Sequence, residues 1–288
     1  MIENFLRRRY GDRATTPSPL GAGEWSSAYA LKLDGREVVA RFGQHGEDYA
    51  KDRRMARHRS AALPVPEFVD SGETEDGYFA ITRRAYGDFL DELDGDAMNA
   101  VLPATLAMLD EVRRIDVSDT TGYGPWRPDG SAPFATWADA LLDIVNDEPG
   151  GRIHGWRAAL ESSPTGAGPF DEAAAALPEL VADCPDRREI IHGDLLYRNV
   201  LVSGDRVTAV LDWGNSLHGD ADYDLAWLLY WWPWYPAWRD IDIAGMIGRG
   251  PLLAYQVHIG LDAQAYCAHT GRWDLLARNA AQTLALIG

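Results

Sequence analysis

Cysteine is almost missing from this chain. Its two, Cys184 and Cys267, lie far apart. That excludes a disulfide framework and a CxxC metal knuckle, and a reducing, cytoplasmic setting is expected. A long apolar run is missing too. The most apolar stretch, WLLYWWPWYPAW at 227–238, is broken by Pro233 and Pro236, and it falls short of the roughly twenty residues a membrane-spanning helix takes. It reads as a helix end in the core or lining a pocket. The opening residues, MIENFLRRRYGDR, contain no apolar centre of a secretory signal. Positive charge is scarce: 27 Lys and Arg stand against 44 Asp and Glu, a formal net charge of −17. Phosphate backbones are bound by clustered Lys and Arg, so nucleic acid is not an expected partner, and neither is a membrane. Such a field attracts cations.

What is present suits an α+β protein of two lobes; 288 residues suffice for both. WSSAYALKL and REVVARF are runs of β-formers around an Asp-Gly turn. Residues 47–63 are charged and helix-prone, closed by PVPE. EFVDSGETEDGYFAITRRA reads as two more strands about a Gly-containing turn. An N-terminal β-sheet lobe with one helix is therefore expected over 1–86, and a mostly helical lobe over 87–288. Apolar residues at 98, 102, 106, 109 and 112 have helical spacing. Pro103 inside them predicts a kink or a later helix start.

One loop is more polar than its surroundings allow without a reason. IIHGDLLYRNVLV, 190–202, sets His192, Asp194 and Asn199 between two apolar runs, and Asp212 follows a second strand in AVLDWGNS. A tight turn at 203–206 would bring the ends of the two strands to one edge. Three oxygen-bearing side chains would then converge. Carboxylate and amide oxygens suit a hard cation such as Mg²⁺, with positions left for water and phosphate. Asp194 would be free to accept a proton from a hydroxyl.

The ordered set H-G-D-x4-N, then Asp212-Trp213-Gly214, resembles the catalytic loop and metal-binding motif of protein kinases. Gly193 in the loop and HGDADYDLA at 218–226 resemble the aminoglycoside phosphotransferases. KDRRMARHRSAALPVPE, TTGYGPWRPDG, YWWPW and AYQVHIGLD are similar, in the same order, to hygromycin B phosphotransferase-like members, and these pieces span nearly the whole chain. The resemblance implies a two-lobe protein kinase-like fold. It implies transfer of the γ-phosphoryl group of ATP or GTP, with Mg²⁺, to a hydroxyl of an aminoglycoside, and antibiotic resistance as the role. It makes Asp194 the base, Asn199 and Asp212 the metal ligands, and His192 a structural part of the loop.

Other candidates follow from position. Gly21, Gly23, Ser26 and Ser27 open the N-terminal sheet, where backbone N–H groups and hydroxyls can cradle phosphates. Arg41 stands where kinases carry lysine, with Asp52 or Glu47 as its acid. The backbone of Arg83, Arg84 and Ala85 is placed to read the adenine edge. A small, cationic, sugar-containing substrate would meet Asp220, Trp231, Trp232, Trp234, Tyr235 and Asp262. Asp220 and Asp224 can instead brace the catalytic loop, and the tryptophans can instead be core. The protein is expected to act as a monomer. A metabolic small-molecule kinase of the same fold and a catalytically inactive nucleotide-binding module are the alternatives.

Overall fold

The computed structural model describes residues 2–246 and 252–288. Contacts divide the chain into two units. One is Met1–Ile115 with Arg127–Asp129 and Leu196–Ser216; the other is Asp116–Trp126 with Gly130–Leu195 and Leu217–Gly288. Residues 87–115 and 196–216 thus group with the N-terminal sheet, across the boundary at 86/87 suggested by composition.

The first unit is built on an antiparallel sheet of β1 (Ser18–Ala22), β2 (Ser26–Leu33), β3 (Arg36–Gly43), β4 (Phe68–Thr74) and β5 (Gly77–Arg83), in the order β1-β2-β3-β5-β4. The turn between β2 and β3 is the expected Asp-Gly pair. Asp34 and Gly35 both take positive φ, 53° and 75°, and Leu33 pairs with Arg36; that twist matches the flanking strands. One face of the sheet buries Leu31, Leu33, Val38, Ala40, Phe79 and Ile81 against Leu6 and Tyr10. The latter two belong to α1 (Ile2–Tyr10), a second helix where one was expected. Its apolar residues, Ile2, Phe5, Leu6 and Tyr10, recur at helical spacing and cover the sheet. Strand β1 adds to the expected strands, and all five of its residues are exposed.

Helix α2 (Gly46–Met55) and the 3-10 turn Ala56–His58 end short of the predicted residue 63. Ser60 and Leu63 trade hydrogen bonds in a local turn: each backbone N–H finds an oxygen on the other residue at 3.0 Å. Such local bonding competes with helix. Helix α3 (Gly95–Arg113) starts well before Pro103, because Asp94 caps it by accepting from the Ala97 N–H at 2.9 Å. The later start is thereby corrected.

The second unit holds a three-stranded sheet, Gly124–Pro125, Leu217–Gly219 and Glu189–Ile191 in that order, and most of the helices. Helix Leu252–His269 is its centre, packed by helices Trp156–Ser162, Gly168–Val181, Asp222–Trp231 and Trp273–Ile287. Trp227, Tyr230, Trp231, Trp232 and Trp238 are buried, so the apolar 227–238 stretch ends a helix in the core. Among the described residues no helix is long and apolar enough to cross a membrane.

Candidate active site

In the first unit, strands Val200–Ser203 and Arg206–Val210 form the expected hairpin, with Ser203 opposite Arg206 and Val200 opposite Val210. At its open end the Leu211 N–H donates to the Asn199 carbonyl at 2.7 Å. Asn199, just before the first strand, and Asp212, just after the second, are therefore brought to one edge. Asp212 takes the left-handed conformation, φ 56° and ψ 74°, as do Tyr197 and Arg198 at φ 60° and 70°. Non-glycine residues hold such angles when their surroundings fix them. For Arg198 the fixing groups are visible. Its N–H donates to Asp91 at 3.0 Å, and its guanidinium pairs with Glu92 at 2.6 Å and covers the Phe89 ring. The acidic segment after Phe89 is thus a clamp and a helix cap, a role its sequence does not signal.

Arg41 on β3 pairs with Asp52 of α2 and reaches Asp212 Oδ2 at 3.5 Å. Asp52, and not Glu47, is the acid that its guanidinium meets. The other Asp52 oxygen accepts from the Trp213 N–H at 2.9 Å. Burial pushes the Asp52 carboxyl up, opposed by Arg41. Next to it, Lys51 is 5% exposed, and its Nζ donates to the carbonyls of Gly214 and Ser216 at 2.9 and 3.3 Å. Nothing in a helix of charged residues singles this lysine out.

Gly21 and Gly23 flank the tip between β1 and β2, where the Gly23 N–H bonds the Ser26 carbonyl at 2.8 Å. Neither glycine has positive φ, and a Cβ at either would meet no close neighbour. Their absence of side chain is not a demand of the turn, and it leaves open space above the backbone. At the far end of β5, the N–H groups of Arg83 and Arg84 are already bonded to the carbonyls of Glu67 and Glu37. Those two N–H groups are therefore not free to read a base edge, which leaves that part of the expected role to the carbonyls. Among the described residues, the Ala85 N–H is the one of the expected trio that carries no such backbone bond.

In the second unit, His192 is fully buried, and its Nδ1 accepts from the Asp194 N–H at 3.2 Å. That is the loop-holding part expected of it. Asp224 accepts from the N–H groups of His192 and Gly193 at 2.8 and 2.9 Å; burial nevertheless pushes its carboxyl up to about 6 against those two bonds. Asp194 is partly exposed. Asp220 is corrected from substrate contact to brace: it is 0% exposed, and its carboxylate takes the Tyr255 hydroxyl at 3.0 Å and the Asp222 N–H at 3.1 Å. Trp231 and Trp232 are corrected to core, since the second spends its indole N–H on the Trp238 carbonyl. Trp234, Tyr235 and Asp262 keep partial exposure. Trp234 bonds Gln282 at 2.7 Å under the Arg278 guanidinium. Burial lifts Asp262 to about 6 and lowers His258, one helical turn away, to about 4.

The model of the phosphotransferase enzyme family matches residues 16–258. The chain belongs to that family. The phosphotransferase is 32% identical over 287 residues to hygromycin-B 4-O-kinase of Escherichia coli, covering 95% of this chain and 80% of that one. Its fold matches a crystal structure of a thermostable mutant of aminoglycoside phosphotransferase APH(4)-Ia in ternary complex with AMP-PNP and hygromycin B. There the TM-score is 0.86 at 31% identity, covering 99% of this chain and 97% of that chain. A fructosamine-3-kinase-like protein from Haemophilus somnus matches with a TM-score of 0.63 at 14% identity over 98% and 96% of the two chains, a likeness of fold alone.

The fold is therefore the kinase-like one. Asn199 and Asp212 offer an amide and a carboxylate oxygen at one hairpin end. Among the described residues there is no group of three or more His, Cys, Asp or Glu that could cage a metal. A sparse, hard-oxygen donor set that leaves positions for water and phosphate fits Mg²⁺.

Proposed function

We propose that this phosphotransferase transfers the γ-phosphoryl group of ATP to a hydroxyl of an aminoglycoside of the hygromycin B type, and so confers resistance as a cytoplasmic monomer. The observation that carries the reading is the arrangement at the hairpin end, where Asn199 stands beside Asp212 and Arg41 reaches the Asp212 carboxylate. The substrate class rests on the 32% identity to hygromycin-B 4-O-kinase. ATP is preferred to GTP because the relative bound to an ATP analogue is 31% identical, whereas the GDP-bound ones, at 16% and 14%, speak for the fold alone.

Residues 1–86 supply the nucleotide-binding groups, and residues from 87–288 supply the catalytic, metal-binding and substrate-binding ones. The open backbone at Gly21 and Gly23, with the hydroxyls of Ser26 and Ser27, receives phosphate oxygens. The Ala85 N–H is left for the base. Arg41, held by Asp52, presents its guanidinium to phosphate. Asn199 and Asp212 hold Mg²⁺, which when bound neutralises charge on the transferring group. Asp194, its backbone fixed by His192, orients the acceptor hydroxyl and takes its proton as the oxygen bonds to phosphorus and the bond to the ADP leaving group breaks. Carboxylates such as Asp262 meet the ammonium groups of the antibiotic, with Trp234 and Tyr235 beside them.

The test is a panel of aminoglycosides and neutral metabolites incubated with purified protein and ATP, scored for phosphorylated product. Hygromycin B should be modified. Turnover of a neutral metabolite with no aminoglycoside modified would replace this reading with a metabolic kinase.

A further inference from the structure

We propose that Lys51 is a positioning residue that sets the metal-binding Asp212 by gripping the turn behind it; this rests on the assignment of Asp212 as an Mg²⁺ ligand. The 3-10 turn Trp213–Asn215 follows Asp212 directly. Helical turns leave N–H groups at their start and carbonyls at their end without partners of their own. Two consecutive residues of α2 satisfy both ends. Asp52 takes the Trp213 N–H, and Lys51 donates to the carbonyls of Gly214 and Ser216. The charges match the polarity of the turn, with carboxylate at its start and ammonium at its end.

The fit is close. A Cβ on Gly214 would come within 2.8 Å of the Asp48 Cγ, one helical turn before Asp52. So α2 lies directly on the turn and leaves little room for it to shift. Asp212 itself sits at φ 56°, a conformation that persists in a non-glycine residue when neighbours over-determine it. The turn that α2 holds is the neighbour on its C-terminal side.

Burying an ammonium is costly, and apolar side chains of like size often replace buried charges without loss of stability. Core filling alone would therefore not call for a lysine here. The chain has only two lysines, Lys32 and Lys51, among its 27 basic residues. A compact ammonium with three donors can serve two carbonyls at once, which a planar guanidinium does less readily in the same space.

The experiment measures binding of a non-hydrolysable ATP analogue to the full chain by calorimetry, in EDTA and across an Mg²⁺ series, for wild type, Lys51→Met and Asp212→Asn. Lys51→Met should fold, with near-UV dichroism like wild type. Its affinity in EDTA should be unchanged, and its Mg²⁺ midpoint should rise about tenfold, as when an outer-shell partner of a metal ligand is lost. Lys51→Arg, which keeps donors, should shift less. A Lys51→Met midpoint equal to wild type beside a shifted Asp212→Asn overturns the proposal alone, as does an equal loss of affinity with and without metal. Asp212→Asn with the wild-type midpoint overturns the metal assignment and this proposal with it. Should Lys51→Met fail to fold, Gly214→Ala decides: the same midpoint shift supports the grip, and an unshifted midpoint overturns it.

Discussion

The Leu211 N–H lies 2.7 Å from the Asn199 carbonyl, and this one backbone bond closes the hairpin end at which Asn199 and Asp212 stand together. Asp212→Asn removes the negative member of the pair. Nucleotide binding should then lose most of its Mg²⁺ dependence, and Asn199→Ala should do the same more mildly. Calorimetric affinities over an Mg²⁺ series check this; an unchanged series for Asp212→Asn removes Asp212 from the metal site.

Asp194→Ala should leave folding and nucleotide affinity intact and slow phosphoryl transfer by about 10²–10⁴-fold, the range for a positioned general base. Expression in a sensitive bacterium should no longer protect against hygromycin B. Near-normal turnover in the purified variant would rule Asp194 out as base.

Asp224 holds two consecutive N–H groups just ahead of Asp194. An amide can accept one of them but turns its NH₂ toward the other. Asp224→Asn should therefore cost about 1–3 kcal/mol of stability. By shifting the loop it should lower kcat by up to about 10²-fold with little change in nucleotide affinity. Chemical denaturation and steady-state kinetics give the two readouts, and a variant with wild-type values in both would show the brace to be dispensable.

Burial raises the Asp262 carboxyl from its ordinary 3.8 to about 6. A raised folded-state pKa means the native protein binds the proton more readily than the unfolded chain. Its contribution to stability is thus complete below about pH 4 and is lost as pH rises through about 6. Asn stays neutral throughout. Asp262→Asn should gain on wild type between pH 5 and 7, by at most about 3 kcal/mol and by less for a partly exposed group. Melting temperatures of both proteins across that range test it; parallel curves refute the assigned shift.

An acidic protein that collects a polycationic sugar should lose its grip in salt, since the screening length falls from about 10 Å at 0.1 M to about 3 Å at 1 M. The KM for hygromycin B should rise with ionic strength while kcat moves less. A KM insensitive to salt would mean that the net charge of −17 serves solubility alone.

Much of this was legible in the chain because the signals are local. Asp34-Gly35 prescribes its own turn, and the strand patterns around it prescribe their pairing. The hairpin that joins Asn199 to Asp212 follows from two apolar runs and a Gly-containing turn. Asp94 caps its helix well before Pro103, and a single carboxylate in an acidic stretch does not show by itself which N–H it will meet. The short α1 is hard to read in the sequence because its few apolar residues are spread among charges.

The sequence alone determined the fold class and the residues of the H-G-D-x4-N and Asp-Trp-Gly motifs, since order and spacing along the chain suffice for both. Only the tertiary structure decided what depends on distance between segments remote in sequence. It chose Asp52 over Glu47 for Arg41 and set Lys51 against the carbonyls of Gly214 and Ser216. It also withdrew Asp220, Trp231 and Trp232 from solvent. Burial and partner choice are properties of packing: a tryptophan or a carboxylate reads the same in one dimension whether it lines a pocket or fills a core, and the groups that surround it come from elsewhere in the chain.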